Sequence, residues 1–210
     1  MKREDQPDDK ISPPLPSGLC VKVGTLKINA HGTKLGERFL KKAFDHAMIE
    51  GADYMYVTIF EKHSGLISLI ERYGFVLHGS KTGKNGTENV YVRELKTITG
   101  DVTKDFPHFS IAGRKHYLLA IYPEYHSSFL PDSILNNENH DIVQDVSHTN
   151  SIHKVYISGI SRTKVMKPGD TVAIYRTSDG KGKAYYRSVV SSIGAVSYTH
   201  LRAHETGRNL

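Results

Sequence analysis

Ten residues, Ile28-Asn29-Ala30-His31-Gly32-Thr33-Lys34-Leu35-Gly36-Glu37, join the end of a β-rich run to a glycine-bearing turn and the start of an amphipathic helix. That order can build an anion site, because the free N–H groups of a helix N-terminus and the positive end of its dipole converge where the turn ends. Gly32 and Gly36 allow close backbone approach or positive φ at little steric cost. The chemistry suits a phosphate, and the structural alternative is an ordinary strand-to-helix connection.

A second chemical region lies in the basic block from Lys154 to Arg187, with eight lysines and arginines against two acids. The net charge of the whole chain is +6, so this block accounts for it, whereas Glu124 to Asp145 holds five acids and no lysine or arginine. Tyr175, Tyr185 and Tyr186, interleaved with Arg176, Lys181, Lys183 and Arg187, would offer stacking and phosphate contacts to single-stranded nucleic acid. The alternative is a solvated basic hairpin whose tyrosines half enter a core. Tyr125-His126, Asp132 and His148 follow no compact metal-ligand spacing. Ser128 and Ser133 sit near histidines but outside a nucleophile-elbow motif.

The elements that must position these residues are legible in part. Residues 1–18 read as a disordered or extended lead-in. Leu19 to Ile28 reads as a strand, and Glu37 to Gly51 as a helix burying Phe39, Leu40, Ala43, Phe44, Ala47 and Met48, with Gly51 as its C-terminal stop. Tyr54 to Phe60 is an apolar, aromatic and β-branched run that suits a buried strand. A helix from about Ser64 to Tyr73 ends at Gly74. Strands at Phe75–Gly79 and Val90–Leu95 flank an Asn85-Gly86 hairpin signal. This order predicts an α/β layer domain over 19–96. After a connector at 97–114, strands near His116–Ile121, Lys154–Ile160, Thr171–Tyr175 and Ala184–Val190 predict a small, mostly-β barrel over 115–194.

Composition sets outer limits. The chain is 38% hydrophobic and 24% charged, which is globular, and no apolar run reaches membrane-spanning length. The N-terminus lacks the apolar core of a signal peptide, so the expected location is cytoplasmic, without a membrane partner. Cys20 is the sole cysteine, which excludes an internal disulfide framework and suits a small buried side chain.

From Val21 to Leu95 the chain resembles the C-terminal half of the GNAT superfamily of N-acetyltransferases. The family's loop runs Arg or Gln, two residues, Gly, one residue, then Gly or Ala; here it reads His31-Gly32-Thr33-Lys34-Leu35-Gly36, with His31 and Lys34 replacing the family's residues. The resemblance implies an incomplete GNAT-like mixed sheet that holds acetyl-coenzyme A through Ile28, His31, Gly32, Thr33, Lys34, Leu35 and Gly36. It implies acetyl transfer to an amine. His63, where many members have asparagine, either contacts the cofactor or begins the helix. Ile70 occupies the place of the family's tyrosine acid, which leaves Tyr73 as a substitute acid or as core packing. Residues 115–194, through Lys167-Pro168-Gly169-Asp170, Val172 to Arg176 and the Lys183–Val190 stretch, resemble the PUA-like/ASCH group of small barrels, which implies RNA or nucleotide binding by Tyr175, Arg176, Lys181, Lys183, Tyr185 and Arg187. An inactive acetyltransferase-like scaffold in an RNA-binding or regulatory protein is the alternative function. Residues 196–206 resemble one reading frame of sequencing-adapter DNA, so 195–210 is expected to be a non-native tail.

Overall fold

The computed structural model describes residues 1–4, 8–24, 32–133, 146–158 and 161–199. The described parts of 1–109 and 128–154 form one compact unit, and those of 110–127 and 155–199 form a second. Among the described residues, no helix is long and apolar enough to cross a membrane.

The first unit is built on one six-stranded sheet. Its strands are β1 (Lys2–Glu4), β2 (Ile11–Ser12), β3 (Cys20–Val23), β4 (Tyr54–Ile59), β5 (Val76–Gly83) and β6 (Gly86–Glu94), in the order β1-β3-β4-β6-β5-β2. β3 and β4 run parallel, and every other pair is antiparallel. Parallel neighbours need a crossover, and α1 (Leu35–Ile49) lies between β3 and β4 in the chain.

β4 explains the layering. Its side chains alternate between the two faces of the sheet, and both faces are covered. Met55, Val57 and Ile59 join Leu40, Ala43, Phe44 and Ala47 of α1 and Ile70 of α2 (Ser64–Arg72) in the larger core. Tyr54 and Tyr56 join Cys20, Val90 and Val92 under Ile11 and Leu15 on the opposite face. The buried positions on α1 follow the i, i+3, i+4, i+7 spacing of one helical stripe, while Met48 is 44% exposed. Phe44 stacks edge-on against Phe106, which follows the short helix α3 (Val102–Asp105), with ring centroids 5.5 Å apart.

The helix ends follow local chemistry. Gly51 (φ 67°) follows α1, and Gly74 (φ 82°) follows α2. At Gly74 a Cβ would stand 2.6 Å from the Lys104 carbonyl oxygen, so no other residue fits that turn without displacing its neighbour. The hairpin is longer than expected: β5 reaches Gly83, and β6 begins at Gly86 across the two-residue turn Lys84-Asn85. Thr82 and Thr87 hydrogen bond across it at 3.1 Å.

The lead-in contributes β1 and β2 at opposite edges of the sheet. Asp8 joins the two sides, accepting from Lys22 Nζ on β3 at 3.3 Å and from Lys81 Nζ on β5. Burial pushes the Asp8 carboxyl up, but hydrogen bonds from Lys81, the Lys10 amide and Lys22 outweigh it and leave it at about 2.

The second unit departs from the expected barrel. Its strands β7 (His116–Ile121), β8 (Thr171–Arg176) and β9 (Val189–Ala195) form a three-stranded open sheet in the order β7-β8-β9. The expected fold class is therefore corrected to a mixed α/β sheet plus a small open sheet. Closure requires the edge strands to find partners around a ring; the described part of the expected Lys154–Ile160 strand supplies none, and the expected Ala184–Val190 strand pairs only from Val189 onward, as the start of β9. Residues 154–158 are irregular, with 159–160 outside the described residues, and Ala184–Tyr186 is a 3₁₀ turn. The Lys167-Pro168-Gly169-Asp170 turn is present: Asp170 accepts from the amides of Lys167 at 2.8 Å and Lys115 at 3.2 Å. β9 includes Ala195, and Val196 exchanges backbone hydrogen bonds with Gly169 and Asp170 at 2.7 and 2.8 Å; the remaining expected tail from 200 onward lies outside the described residues.

The Asp8 carboxyl titrates lower in the folded chain than its ordinary 3.8, so its contribution is present above that value and is lost as the pH falls through about 2. Urea unfolding should find Asp8→Asn less stable than the parent near about pH 6, with the difference closing as the solution is acidified below about pH 4.

Candidate functional site

The turn before α1 brings Gly32, Thr33, Lys34, Leu35 and Gly36 together; Ile28 and His31 lie outside the described residues. Gly32 has φ 80° and Lys34, at the helix N-cap, has φ 54°. A lysine holding a left-handed backbone is strained by about 1–2 kcal/mol. Its carbonyl accepts from the Glu37 and Arg38 amides at 2.9 and 3.4 Å. Among the described residues no acceptor meets the Leu35 and Gly36 amides, the first two donors of the helix.

The site also holds a carboxylate of its own. Glu37, in the first turn of α1, is 4% exposed. Its Oε2 accepts from Ser151 Oγ at 2.8 Å and from the Ile152 amide at 3.0 Å, while Arg72 Nη1 and Lys34 Nζ stand 3.7 and 3.9 Å from Oε1. A negative charge there complements the helix dipole, and the hydrogen bonds offset its desolvation.

A returning segment delivers those partners. Just before Ser151, α5 (Ser147–Asn150) ends at Asn150, whose Nδ2 donates to the Thr33 carbonyl at 2.9 Å. Arg38 donates to Asn150 Oδ1 at 3.4 Å and to Asp132 Oδ1 at 3.1 Å; Lys42 also lies 3.1 Å from Asp132. Burial pushes the Asp132 carboxyl up, but Lys42, Lys41 and Arg38 hold it below its ordinary range. Lys154 Nζ closes α5 by donating to the Thr149 and His148 carbonyls at 2.7 and 3.2 Å. Burial brings its ammonium down to about 8, Asp132 opposing and Lys41 and Arg38 reinforcing that shift.

His63 is exposed and begins α2, its carbonyl accepting from the Leu66 and Ile67 amides at 3.1 Å. Tyr73 is fully buried, between Phe106 and His153 with ring centroids 6.2 Å away on each side. Among the described residues its hydroxyl makes no hydrogen bond of full geometry, although the Glu37 carboxylate lies near enough to act on it. Burial, and then the negative charge of Glu37, push the phenol further above its ordinary range, which makes it a poor proton donor. Ile70 is 2% exposed, so this end of α2 is core.

The six basic and aromatic residues of the second unit separate into two groups. Lys181, Lys183 and Tyr185 are exposed, Tyr185 by 85%. Arg176 is 1% exposed and donates to the Arg187 carbonyl at 2.8 Å; Arg187 forms a two-pronged ion pair with Asp179, which holds that carboxyl well below its ordinary range. Tyr175 is half-buried on β8. The two arginines and Tyr175 therefore shape the unit, and the lysines and Tyr185 face outward.

Sequence reasoning missed Glu37, Asn150 and Ser151. An acid in the first helical turn was a readable signal for Glu37. Nothing local marks Asn150 or Ser151, which lie more than a hundred residues further along the chain.

No protein-family model matches the chain, and neither a curated protein nor a solved structure matches it. The resemblances to the GNAT superfamily and to the PUA-like/ASCH group are accordingly corrected: no comparison identifies either domain, and the second unit's sheet is open where a PUA-like domain would be closed.

The strain at Lys34 gives a test with two signs. Lys34→Gly should leave stability unchanged or raise it by up to about 1 kcal/mol, whereas Lys34→Val, β-branched in a left-handed position, should lower it by about 1–2 kcal/mol. Midpoints of urea unfolding measure both.

Proposed function

We propose that the first unit binds the pyrophosphate of acetyl-coenzyme A at the Gly32–Gly36 turn and transfers the acetyl group to an amine, while the second unit presents Lys181, Lys183 and Tyr185 to a nucleic-acid strand. The observation that carries the cofactor reading is the left-handed turn followed by two helix N–H donors without an acceptor among the described residues. Lys34, with a half-exposed side chain, adds a cation beside them. Glu37 satisfies part of the helix dipole, so the ligand's phosphates would rely on the amides and Lys34 more than on the dipole.

In the reaction the amine attacks the thioester carbonyl as its free base; the C–N bond forms, the C–S bond breaks, and the coenzyme leaves as thiolate. The amine's proton passes to solvent or to a base on the acceptor. Thiolate is a good enough leaving group to depart without a dedicated acid, at the loss of roughly 10²–10⁴ in rate. The burial of Tyr73 and Ile70 favours a second reading, in which the unit binds the cofactor without turning it over.

Calorimetry on the full chain with acetyl-coenzyme A should give a dissociation constant of about millimolar or tighter, weakened at least about tenfold by Lys34→Glu. A folded chain that binds nothing at millimolar cofactor overturns the proposal. Free coenzyme A released in the presence of a polyamine marks transfer, and binding without release marks the second reading. Gel shifts with single-stranded RNA across a salt series should show affinity falling with salt, and reversing Lys181 and Lys183 to glutamate should flatten the slope by about 0.7 per lost phosphate contact. An unchanged slope overturns the nucleic-acid assignment.

A further inference from the structure

The second unit holds a serine and a histidine in nucleophile–base geometry. In the β8–β9 ladder Ile174 pairs with Ser192 and Tyr175 with Val190, so Ser191 is the extra residue of a bulge. A bulge re-aims its side chain out of the regular alternation of a strand, and such irregularities gather beside reacting groups. Ser191 Oγ lies 2.6 Å from Nε2 of His126, and 3.5 Å from the Ile174 carbonyl oxygen.

His126 comes from α4 (Pro123–Phe129), which follows β7 after Tyr122. The side chain is fully buried, and its backbone amide is fixed to the Tyr122 carbonyl at 2.9 Å. Ser191 is half-buried. The base thus lies on the inside while part of the serine remains at the surface, the disposition a nucleophile requires.

We propose that Ser191 is a nucleophile activated by His126, and that the second unit carries a hydrolytic site for activated carboxylic esters. Ser191 Oγ attacks the ester carbonyl as His126 Nε2 takes the hydroxyl proton. The C–O bond to the alcohol then breaks, and His126 returns the proton to the departing alkoxide. Water, deprotonated by the same nitrogen, cleaves the acyl-serine and restores the hydroxyl. The site is independent of the cofactor reading of the first unit.

The test is labelling of the full chain with a fluorophosphonate probe, located by peptide mass spectrometry, beside hydrolysis of p-nitrophenyl acetate. The native chain should carry the adduct at Ser191 and lose that labelling when denatured in urea. Hydrolysis should fall at least about 100-fold in Ser191→Ala and in His126→Gln, and stay within about twofold in Ser192→Ala. No adduct at Ser191 in the native chain, equal labelling after denaturation, or undiminished hydrolysis in a folded Ser191→Ala chain would overturn the assignment. The labelling arm uses the unaltered chain and so stands even where a variant fails to fold.

Discussion

The burial of β4 on both faces is the constraint from which the first unit follows. A strand that is apolar on both sides cannot rest on one layer; it needs a cover above and below. α1 and α2 provide one cover through Leu40, Ala43, Phe44, Ala47 and Ile70. Ile11 and Leu15 from the N-terminal segment provide the other, over Tyr54 and Tyr56. Tyr54 and Tyr56 keep their hydroxyls satisfied on that face, donating to the Pro16 carbonyl at 2.7 Å and to the Glu4 carboxylate at 2.5 Å. The polar lead-in is therefore a working part of the layer structure, which its composition conceals.

The same demand for compensation governs the start of α1. A buried carboxylate at Glu37 is costly unless hydrogen bonded, and its partners come from Ser151 and Ile152. The turn thus combines two opposed electrostatic features. Its amides and Lys34 invite an anion, while Glu37 places a negative charge within the same first turn of the helix. Affinity and selectivity for any ligand there depend on how closely its charge approaches Glu37, since repulsion at short range inside a protein is only weakly screened.

What could be read from the sequence was what local pattern determines. The 3.6-residue spacing of α1 and the apolar run of β4 specify those elements without reference to the rest of the chain. β7 and β8 were legible for the same reason. β1 and β2 were not, because edge strands of three and two residues are defined by their neighbours alone. Ala184–Tyr186 has the aromatic content of a strand, yet the chain turns there and pairing begins at Val189, a choice made by the β8 partner. At the candidate site, glycine was the visible sign of a special backbone, but Lys34 adopts the left-handed conformation without being glycine. The Ser191–His126 contact was invisible because its members are 65 residues apart and one of them sits on a bulge.

The interleaving of the two units along the chain has a consequence in time. The first unit is completed by 128–154, after the chain has already entered the second at 110–127, and the second is completed only beyond 155. On a ribosome, α1 emerges and packs on β4 while Glu37 still lacks Ser151 and Ile152, and the nascent first unit must wait with that carboxylate hydrated until those residues, more than a hundred positions beyond Glu37, have been made. Neither unit is a module that gene fusion or fission could move intact. Recombination within the connector near residue 109 would separate α1 from the segment that satisfies its own buried charge.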